Sequence, residues 1–553
     1  MTTPIRHLTL LLALAVGGLL CNSADILAQT NNPERGLIPT GPWRIAGAVV
    51  NASTGIPLPR TRVTIMDSKI RSNVQVVISS DAGRFEFHVP AGKFALQGAK
   101  RGFITGAFNQ HDEFSSAIVT GVAGVDSENL ILRLSPNAVL AGKVLDEFGE
   151  PVRHAQVMVY RENRSTGISQ ISRIRGANTD DQGKYEVTPL DAGTYFVSAK
   201  ATPWYAMHPP SVREGPNAPV QVDAALDVAY PVTYYGDTTE PEEATPIPVR
   251  GGNHLEADIH LHPTPALHLI FHAGENGGPV NYPQLQRSVF DGVEEVETAG
   301  VETVSPGVYE LTGIAAGRYL VRMPDSNGQL KEPAAATLTN SQELNSSSGN
   351  STGSVHIKVA MEGAASTPTQ IWVGLRNTKA IVVASQVGEK GETTFADVIP
   401  GKYDVVAGSQ TEIYSVTRIA WDGGATSGRT LNVPAGTTLA VSATLLGGSV
   451  TIEGLVKRDG KAFAGAMVVL IPQNPEANVD RFRRDQTDLD GTFTLLNVSP
   501  GTYSVIAIED GWDLDWAKPA VLTNYGRNGQ PLVVTAREKG TVHLSAPVAV
   551  EPK

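Results

Sequence analysis

Residues 179–199 read TDDQGKYEVTPLDAGTYFVSA, and residues 487–507 read TDLDGTFTLLNVSPGTYSVIA. The two stretches align without a gap, so that Gly183 and Gly193 fall on Gly491 and Gly501. In each, an Asp-x-x-Gly turn leads into a run where apolar and polar residues alternate: Tyr185 and Val187 in one, Phe493 and Leu495 in the other. Asp bonds nearby backbone and Gly tolerates positive φ, which is turn chemistry. Alternation at period two is the pattern of a half-buried strand. A second turn at Ala-Gly or Pro-Gly follows, and Tyr195 with Val197, or Tyr503 with Val505, alternate in a further strand. The unit is expected to be an antiparallel hairpin with one buried face, its second glycine (Gly193, Gly501) in a turn with φ > 0 or crowded backbone.

Working outward, three more copies appear. SDAGRFEFHVPAGKFALQGA carries Gly83 and Gly92, SPGVYELTGIAAGRYLVRM carries Gly307 and Gly317, and GEKGETTFADVIPGKYDVVAG carries Gly391 and Gly401. In every copy an aromatic stands two residues after the second glycine: Phe94, Tyr195, Tyr319, Tyr403 and Tyr503. Upstream of the hairpin lies a strand–turn–strand piece, clear at Ile45, Leu140 and Ile452 and looser in the third and fourth copies. Repetition at domain-scale spacing predicts homologous domains, not a short-period solenoid. The expected division is 41–135, 136–264, 265–345, 352–446 and 447–553, with linkers at 29–40 and 346–351. A proline-rich insertion from Trp204 to Val232 reads as a surface loop in the second domain.

Composition agrees with an all-β chain. Of 553 residues 55 are Gly and 36 Pro, aromatics are 6%, and the Ala/Glu/Lys/Leu richness of helical proteins is missing. The net charge of −12 argues against a nucleic-acid partner, because phosphate binding needs a basic surface. Residues 1–28 read as an export signal: Arg6, the apolar run Leu8 to Leu20, and Ala28 before Gln29. That run is too short to span a bilayer, and no later stretch is apolar enough, so the mature chain is expected to have no transmembrane segment and to be periplasmic, cell-surface or secreted. The only cysteine, Cys21, lies inside the signal and follows Leu20, where a lipid-anchor motif wants a small residue. Disulfides and thiol chemistry are therefore not expected in the mature chain.

The pattern at Gly142, Val144, Gly149, Pro151, Ala155, Val157, Thr179, Gly183, Tyr185, Leu190, Gly193, Tyr195 and Val197 resembles the carboxypeptidase regulatory-like domain family. The fifth domain is similar at Gly454, Val456, Gly460, Ala466, Val468, Thr487, Gly491, Phe493, Val498, Gly501, Tyr503 and Val505; the first matches less fully, and the third and fourth only in the hairpin. The resemblance implies a tandem array of about five antiparallel, transthyretin-like or Ig-like β-sandwiches after the signal peptide. It belongs to a group of folds that often bind carbohydrate, and implies no catalysis. The matched positions are turns and core residues, which specify fold better than function.

Catalytic motifs are missing or misplaced. No His-Glu-x-x-His occurs, and His272-Ala-Gly-Glu275 runs into a Gly-rich turn. Gly349-Asn-Ser351-Thr-Gly353 has hydrolase spacing but lies in a linker followed by a strand, where a nucleophile elbow needs a strand and then a helix. His254, His260, His262, His268 and His272 cluster and read as a polar strand face rather than a metal site. No enzyme activity and no cofactor are expected.

Aromatics give the remaining candidates. Trp204 and Trp512 occupy equivalent positions, as does Phe103, which predicts packing under a loop. Trp516, Tyr205, Tyr234 and Tyr235 do not recur and read as an exposed platform for sugar faces, with Trp512 beside Trp516 and with Asp513 and Asp515 as hydroxyl acceptors. The bland reading of WDLDWA is a short helical turn or loop covering a sheet edge. Two functions remain: a non-catalytic structural or interaction protein of the cell envelope, with a protein partner there, or a carbohydrate-binding protein.

Overall fold

The computed structural model describes residues 36–209, 223–272, 282–296, 298, 300–324, 330–344, 351–362, 370–377, 381–409, 413–422 and 424–553. The export signal with Cys21, residues 346–350 of the second linker, Gly349 and Glu275 lie outside them. Among the described residues the chain is all-β: strands form five successive sandwiches, and the one α-helix is Pro519–Gly526.

The second sandwich shows the plan. One sheet holds Lys184–Leu190, Ala138–Leu145 and His254–Glu256; the other holds Gln170–Asn178, Gln156–Asn163, Gly193–Lys200 and Thr233–Tyr234. Inward residues of both sheets meet in one core, including Leu140, Val157, Val159, Tyr185, Val187, Tyr195 and Val197. The first, third, fourth and fifth sandwiches each have a comparable core. In the fourth, Ile413–Trp421 pairs into both sheets; in the fifth, Val548–Glu551 does so.

The two strands of the repeated unit do not form the expected hairpin. Lys184–Leu190 pairs with Ala138–Leu145, whereas Gly193–Lys200 pairs with Gln156–Asn163 in the opposite sheet. The same split separates Arg84–Val89 from Gly92–Ala99 and Thr492–Val498 from Gly501–Ile508. The unit is an arch that carries the chain across the core. Both strands alternate because both face the same core, from opposite sides.

The recurring aromatic fixes that crossing. Tyr195 Oη donates to the Asp191 carbonyl at 2.8 Å, Tyr319 to Ala315 at 2.6 Å, Tyr403 to Ile399 at 2.7 Å and Tyr503 to Ser499 at 2.7 Å. Each hydroxyl ties the new strand to the backbone just before the turn, as tyrosine corners do in other sandwiches. Phe94 holds the same place in the first sandwich by packing alone. The glycine two residues earlier leaves room for the ring: a Cβ at Gly501 would stand 3.2 Å from Tyr503 and one at Gly92 3.4 Å from Phe94.

The left-handed glycine is therefore the first of each pair, not the second. Gly83, Gly183 and Gly491 have φ of +69°, +70° and +76°, and a Cβ on each would fall 2.6, 2.7 and 2.8 Å from the carbonyls of Val49, Val144 and Val456. Gly193, with φ of +159°, and Gly501 instead open extended strands, and what crowds them is a side chain, Arg161 at 2.9 Å and Tyr503 at 3.2 Å, rather than backbone. Gly491→Ala is expected to lower stability by about 1–3 kcal/mol through strain and backbone crowding, and Gly501→Ala by less. Thermal melts of the two variants give the order; equal melts would remove the distinction.

The threonine that opens the motif also has a structural task. Thr179 Oγ1 accepts from Ala155 N at 2.8 Å and donates to the Val152 carbonyl at 2.6 Å. Thr487 does the same with Ala466 and Phe463, and Ser79 with Thr61 and Leu58. These buried hydroxyls satisfy backbone groups that would otherwise be stranded under the sheet.

The fifth sandwich has a second apolar layer. Met467–Pro472 is buried on both faces, as its unbroken run MVVLIP requires. Its outer face is covered by Trp516 and by Leu522 and Tyr525 of Pro519–Gly526, a helix that opens on proline.

Candidate functional site

The tryptophan segment 512–516 lies where three sandwiches meet. Residues Gly511–Asp513 form a single 3-10 turn, after which the chain folds over the outer face of the fifth sandwich. Trp516 is only 5% exposed. Phe482 meets its ring edge-on at 5.4 Å, and the guanidinium of Arg484 lies 4.8 Å from its centre. Arg484 also stands 5.1 Å over Phe114 of the first sandwich. Against the other side comes the second sandwich: a Cβ at Gly167, whose φ is +87°, would fall 2.9 Å from the Trp516 indole. The exposure expected of Trp516 is thus corrected, because Phe482 and Arg484 of its own domain and the Gly167 loop of the second sandwich cover the ring.

The flanking candidates are engaged in the same junction. Trp512 stacks on His111 of the first sandwich at 4.9 Å and 4° between planes. Asp515 accepts from Arg164 Nε at 3.2 Å and Ser169 N at 2.9 Å, both in the second sandwich, and Ala517 N donates to the Gly167 carbonyl at 2.9 Å. Asp513 stays exposed and pairs within its own domain, with Lys553. Nearby, Lys93 Nζ lies 2.7 Å from Asp488, Ala117 N donates to Asp488 at 2.8 Å, Leu489 N to the Ala117 carbonyl at 3.1 Å, and buried Gln486 bonds Ser116 and His111. Burial pushes the Asp488 carboxyl above its ordinary value, with Lys93 opposing. The fifth sandwich therefore returns to the first and second and closes the row on itself.

Two further joints complete the closure. Between the fourth and fifth sandwiches, Arg376 and Arg429 reach Asp480 at 2.8 and 2.7 Å and share the Ala477 carbonyl. Between the second and third, Phe290 inserts among Tyr160, Phe196 and Tyr234, with ring centres 5.1, 4.9 and 5.7 Å away.

Tyr234 is fully buried in that joint, and Tyr235 packs against the core of the second sandwich, so neither offers the exposed ring expected of it. Tyr205 is half-buried, its hydroxyl bonded to Glu147. Trp204 reverses its expectation in the other direction: it is 84% exposed, while Trp512 and Phe103 are partly buried against apolar clusters. The first sandwich covers the fifth at Trp512, and among the described residues no domain covers the second at Trp204.

Of the five clustered histidines, His260, His268 and His272 are tied to carboxylates. His268 is buried with Nε2 2.7 Å from Asp227 and Nδ1 2.8 Å from Glu310; His208 Nδ1 stands 3.0 Å from the other Asp227 oxygen. His260 pairs with Asp237 and His272 with Glu343. Among the described residues no group of three or more His, Cys, Asp or Glu is arranged to hold a metal ion. The Glu310 and Asp227 carboxylates raise the His268 pKa, against the effect of burial. A raised histidine contributes stability below its unfolded value of about 6.5, and the contribution is lost as pH rises through the higher folded value. Calorimetry across neutral to alkaline pH is expected to show this joint weakening, and His268→Gln is expected to flatten that dependence.

Residues 139–227 match the carboxypeptidase regulatory-like domain. The chain carries a regulatory-like domain of this family. Its matched span covers most of the second sandwich, including both turns and the Thr179 hydroxyl bridge. Among curated proteins no sequence matches the chain. Similar solved structures include the Bacillus anthracis TIE protein, at 12% identity and TM-score 0.15 over 70% of this chain and 69% of that one. The major pilin subunit of Bacillus cereus is 8% identical, with TM-score 0.14 over 74% and 99%. Two B repeat units of the collagen-binding protein of Staphylococcus aureus are 10% identical, with TM-score 0.12 over 72% and 99%. No helix among the described residues is long and apolar enough to cross a membrane.

Proposed function

We propose that the chain is an exported, non-catalytic interaction protein in which five sandwiches form a closed frame. The observation that supports this is the junction at Trp516: the residues best suited to an external ligand by sequence are used to hold the first, second and fifth sandwiches together. A frame held at several joints keeps its outward loops at fixed separations, which lowers the ordering cost of binding a partner. Export rests on residues 1–28, and the mature chain is proposed to begin at Gln29.

Two measurements test this reading. Beyond Cys21 the chain has no cysteine, so Ala117→Cys with Leu489→Cys reports the closure cleanly. Their backbones are hydrogen-bonded, which brings them within the range a disulfide spans. Oxidation is expected to give an intramolecular bond in a monomer; a reduced chain or a disulfide-linked dimer would overturn the closed frame. Cell fractionation with N-terminal sequencing addresses export, and an uncleaved chain in the cytoplasm would overturn it.

Carbohydrate binding is the second reading. One observation favours it: Trp204 holds its ring in solvent at the end of the regulatory-like domain.

A further inference from the structure

We propose that Trp204 and Phe148 form an aromatic platform for a neutral glycan, with Glu147 between them as the hydroxyl acceptor. The proposal rests on the carbohydrate-binding reading and names its site.

Trp204 and Phe148 are 84% and 79% exposed, the highest exposures among the large aromatic side chains of the described residues. They belong to different loops, and one carboxylate joins those loops. Glu147, next to Phe148, accepts from the hydroxyl of Tyr205, next to Trp204, and its other oxygen accepts from Tyr230 Oη at 2.8 Å. Tyr230 is itself buried in the core, so the clamp is anchored to the body of the domain.

Both loops are held rigidly. Phe148 N and Glu150 N donate to one Asp146 oxygen at 2.9 and 2.8 Å, and Gly149 closes that turn with φ of +79°. Trp204 follows a buried proline, its turn is closed by Ala206 N on the Pro203 carbonyl at 3.0 Å, and its ring meets Tyr205 edge-on at 5.7 Å. An exposed tryptophan on a preorganised loop is poorly explained by packing and well suited to binding, since little ordering remains when a ligand arrives.

The chemistry of the platform selects the ligand. Flat aromatic faces take the C–H faces of a sugar ring, and a fixed acceptor orients its hydroxyls. Asp146 and Glu147 accept from neutral donors only, backbone N–H groups for the first and two phenols for the second, so both stay ionised and fixed in orientation. Glu147 keeps free lone pairs for hydroxyl donors, since an ionised carboxylate offers about four acceptor sites. Two exposed rings beside an acceptor fixed in orientation suit a hydroxyl-rich ligand, and salt dependence separates it from a basic peptide drawn by the same carboxylates.

The test titrates the full mature chain with cellohexaose and with the β-1,4-linked hexamer of N-acetylglucosamine, read by tryptophan fluorescence and calorimetry. Wild type is expected to bind at least one, with a blue shift from Trp204 and little change between about 50 and 500 mM salt. Trp204→Ala and Phe148→Ala are each expected to weaken binding about tenfold or more without altering the melt. Trp43→Ala, a partly exposed tryptophan in the first sandwich, should leave affinity unchanged. If wild type binds a glycan equally well with Trp204 or Phe148 replaced, the site is wrong and the carbohydrate reading stands. If wild type binds neither hexamer, or binds only a lysine-rich peptide with steep salt dependence, both fall.

Discussion

Trp516→Ala is expected to lower stability by about 3–5 kcal/mol, the range for removing a buried large aromatic. The ring touches Phe482 in its own domain, Arg484 at its face and Gly167 across the joint. Its removal leaves a cavity and also removes the aromatic face beneath a guanidinium already taken out of water. Burial lowers the Arg484 pKa, which Glu113 and Asp112 only partly offset. The loss should appear in calorimetry as an earlier transition and in small-angle scattering as a larger radius of gyration, because the fifth sandwich separates from the first two. A variant as compact and stable as wild type would mean that the indole is not the centre of the junction. Tandem sandwiches need not unfold in one step, so the transitions should be resolved rather than fitted as two-state.

Asp480→Asn is expected to cost about 3–4 kcal/mol, at the lower part of the range for breaking a buried ion pair. The lower part applies because about a quarter of the Asp480 side chain still meets water. Two guanidinium groups, Arg376 and Arg429, converge on this carboxylate, leaving Asp404 and the Ala477 carbonyl as their partners after substitution. Burial raises the Asp480 pKa, but Arg429 and Arg376 together hold it below the ordinary aspartate value. The sign follows from that lowering: the contribution is present above the unfolded value of about 3.9 and is lost as pH falls through the lower folded value. Wild type should therefore lose the joint between the fourth and fifth sandwiches in acid, below about pH 4, and Asp480→Asn should show no such step. An identical acid transition in both proteins would remove Asp480 from that role.

The fold class was legible because turns and inward residues are local properties. Asp-x-x-Gly, the period-two alternation and the aromatic after the second glycine each report something settled within a few residues. Strand pairing was less legible. Tyr185 and Val187 face the core, as alternation requires, but alternation does not say whether the next strand lies beside them or opposite them. The Tyr195 hydroxyl bond to Asp191 decides for the opposite sheet, and it becomes visible only once the turn has a shape.

The candidate site was less legible again, because its partners are distant in sequence. Trp512 and Trp204 are equivalent by position and opposite in environment. His111 stacks on the first, while nothing of the described chain covers most of the second. Asp180 and Asp488 diverge in the same way. Asp180 accepts from Gln182 N and Lys184 N and closes its own turn, whereas Asp488 turns outward to Ala117 N and Lys93. A motif residue freed from its local bond is a signal of docking, but only coordinates show that it has been freed.

The return of the fifth sandwich to the first also governs how the chain would carry load. In a simple string, tension between the end domains stretches every linker in series from the start. Here the Lys93–Asp488 clasp, the backbone bond from Leu489 to Ala117 and the bonds of Asp515 and Ala517 to the second sandwich would bear the pull first, shielding the third and fourth domains until all of them yield. Release would then add a large, sudden extension without unfolding any sandwich. Because the separated faces stay tethered, re-closure is an intramolecular event at an effective concentration of about millimolar. The chain would thus behave as a resettable extension limiter, absorbing a first pull by opening and recovering its shape when the pull ends.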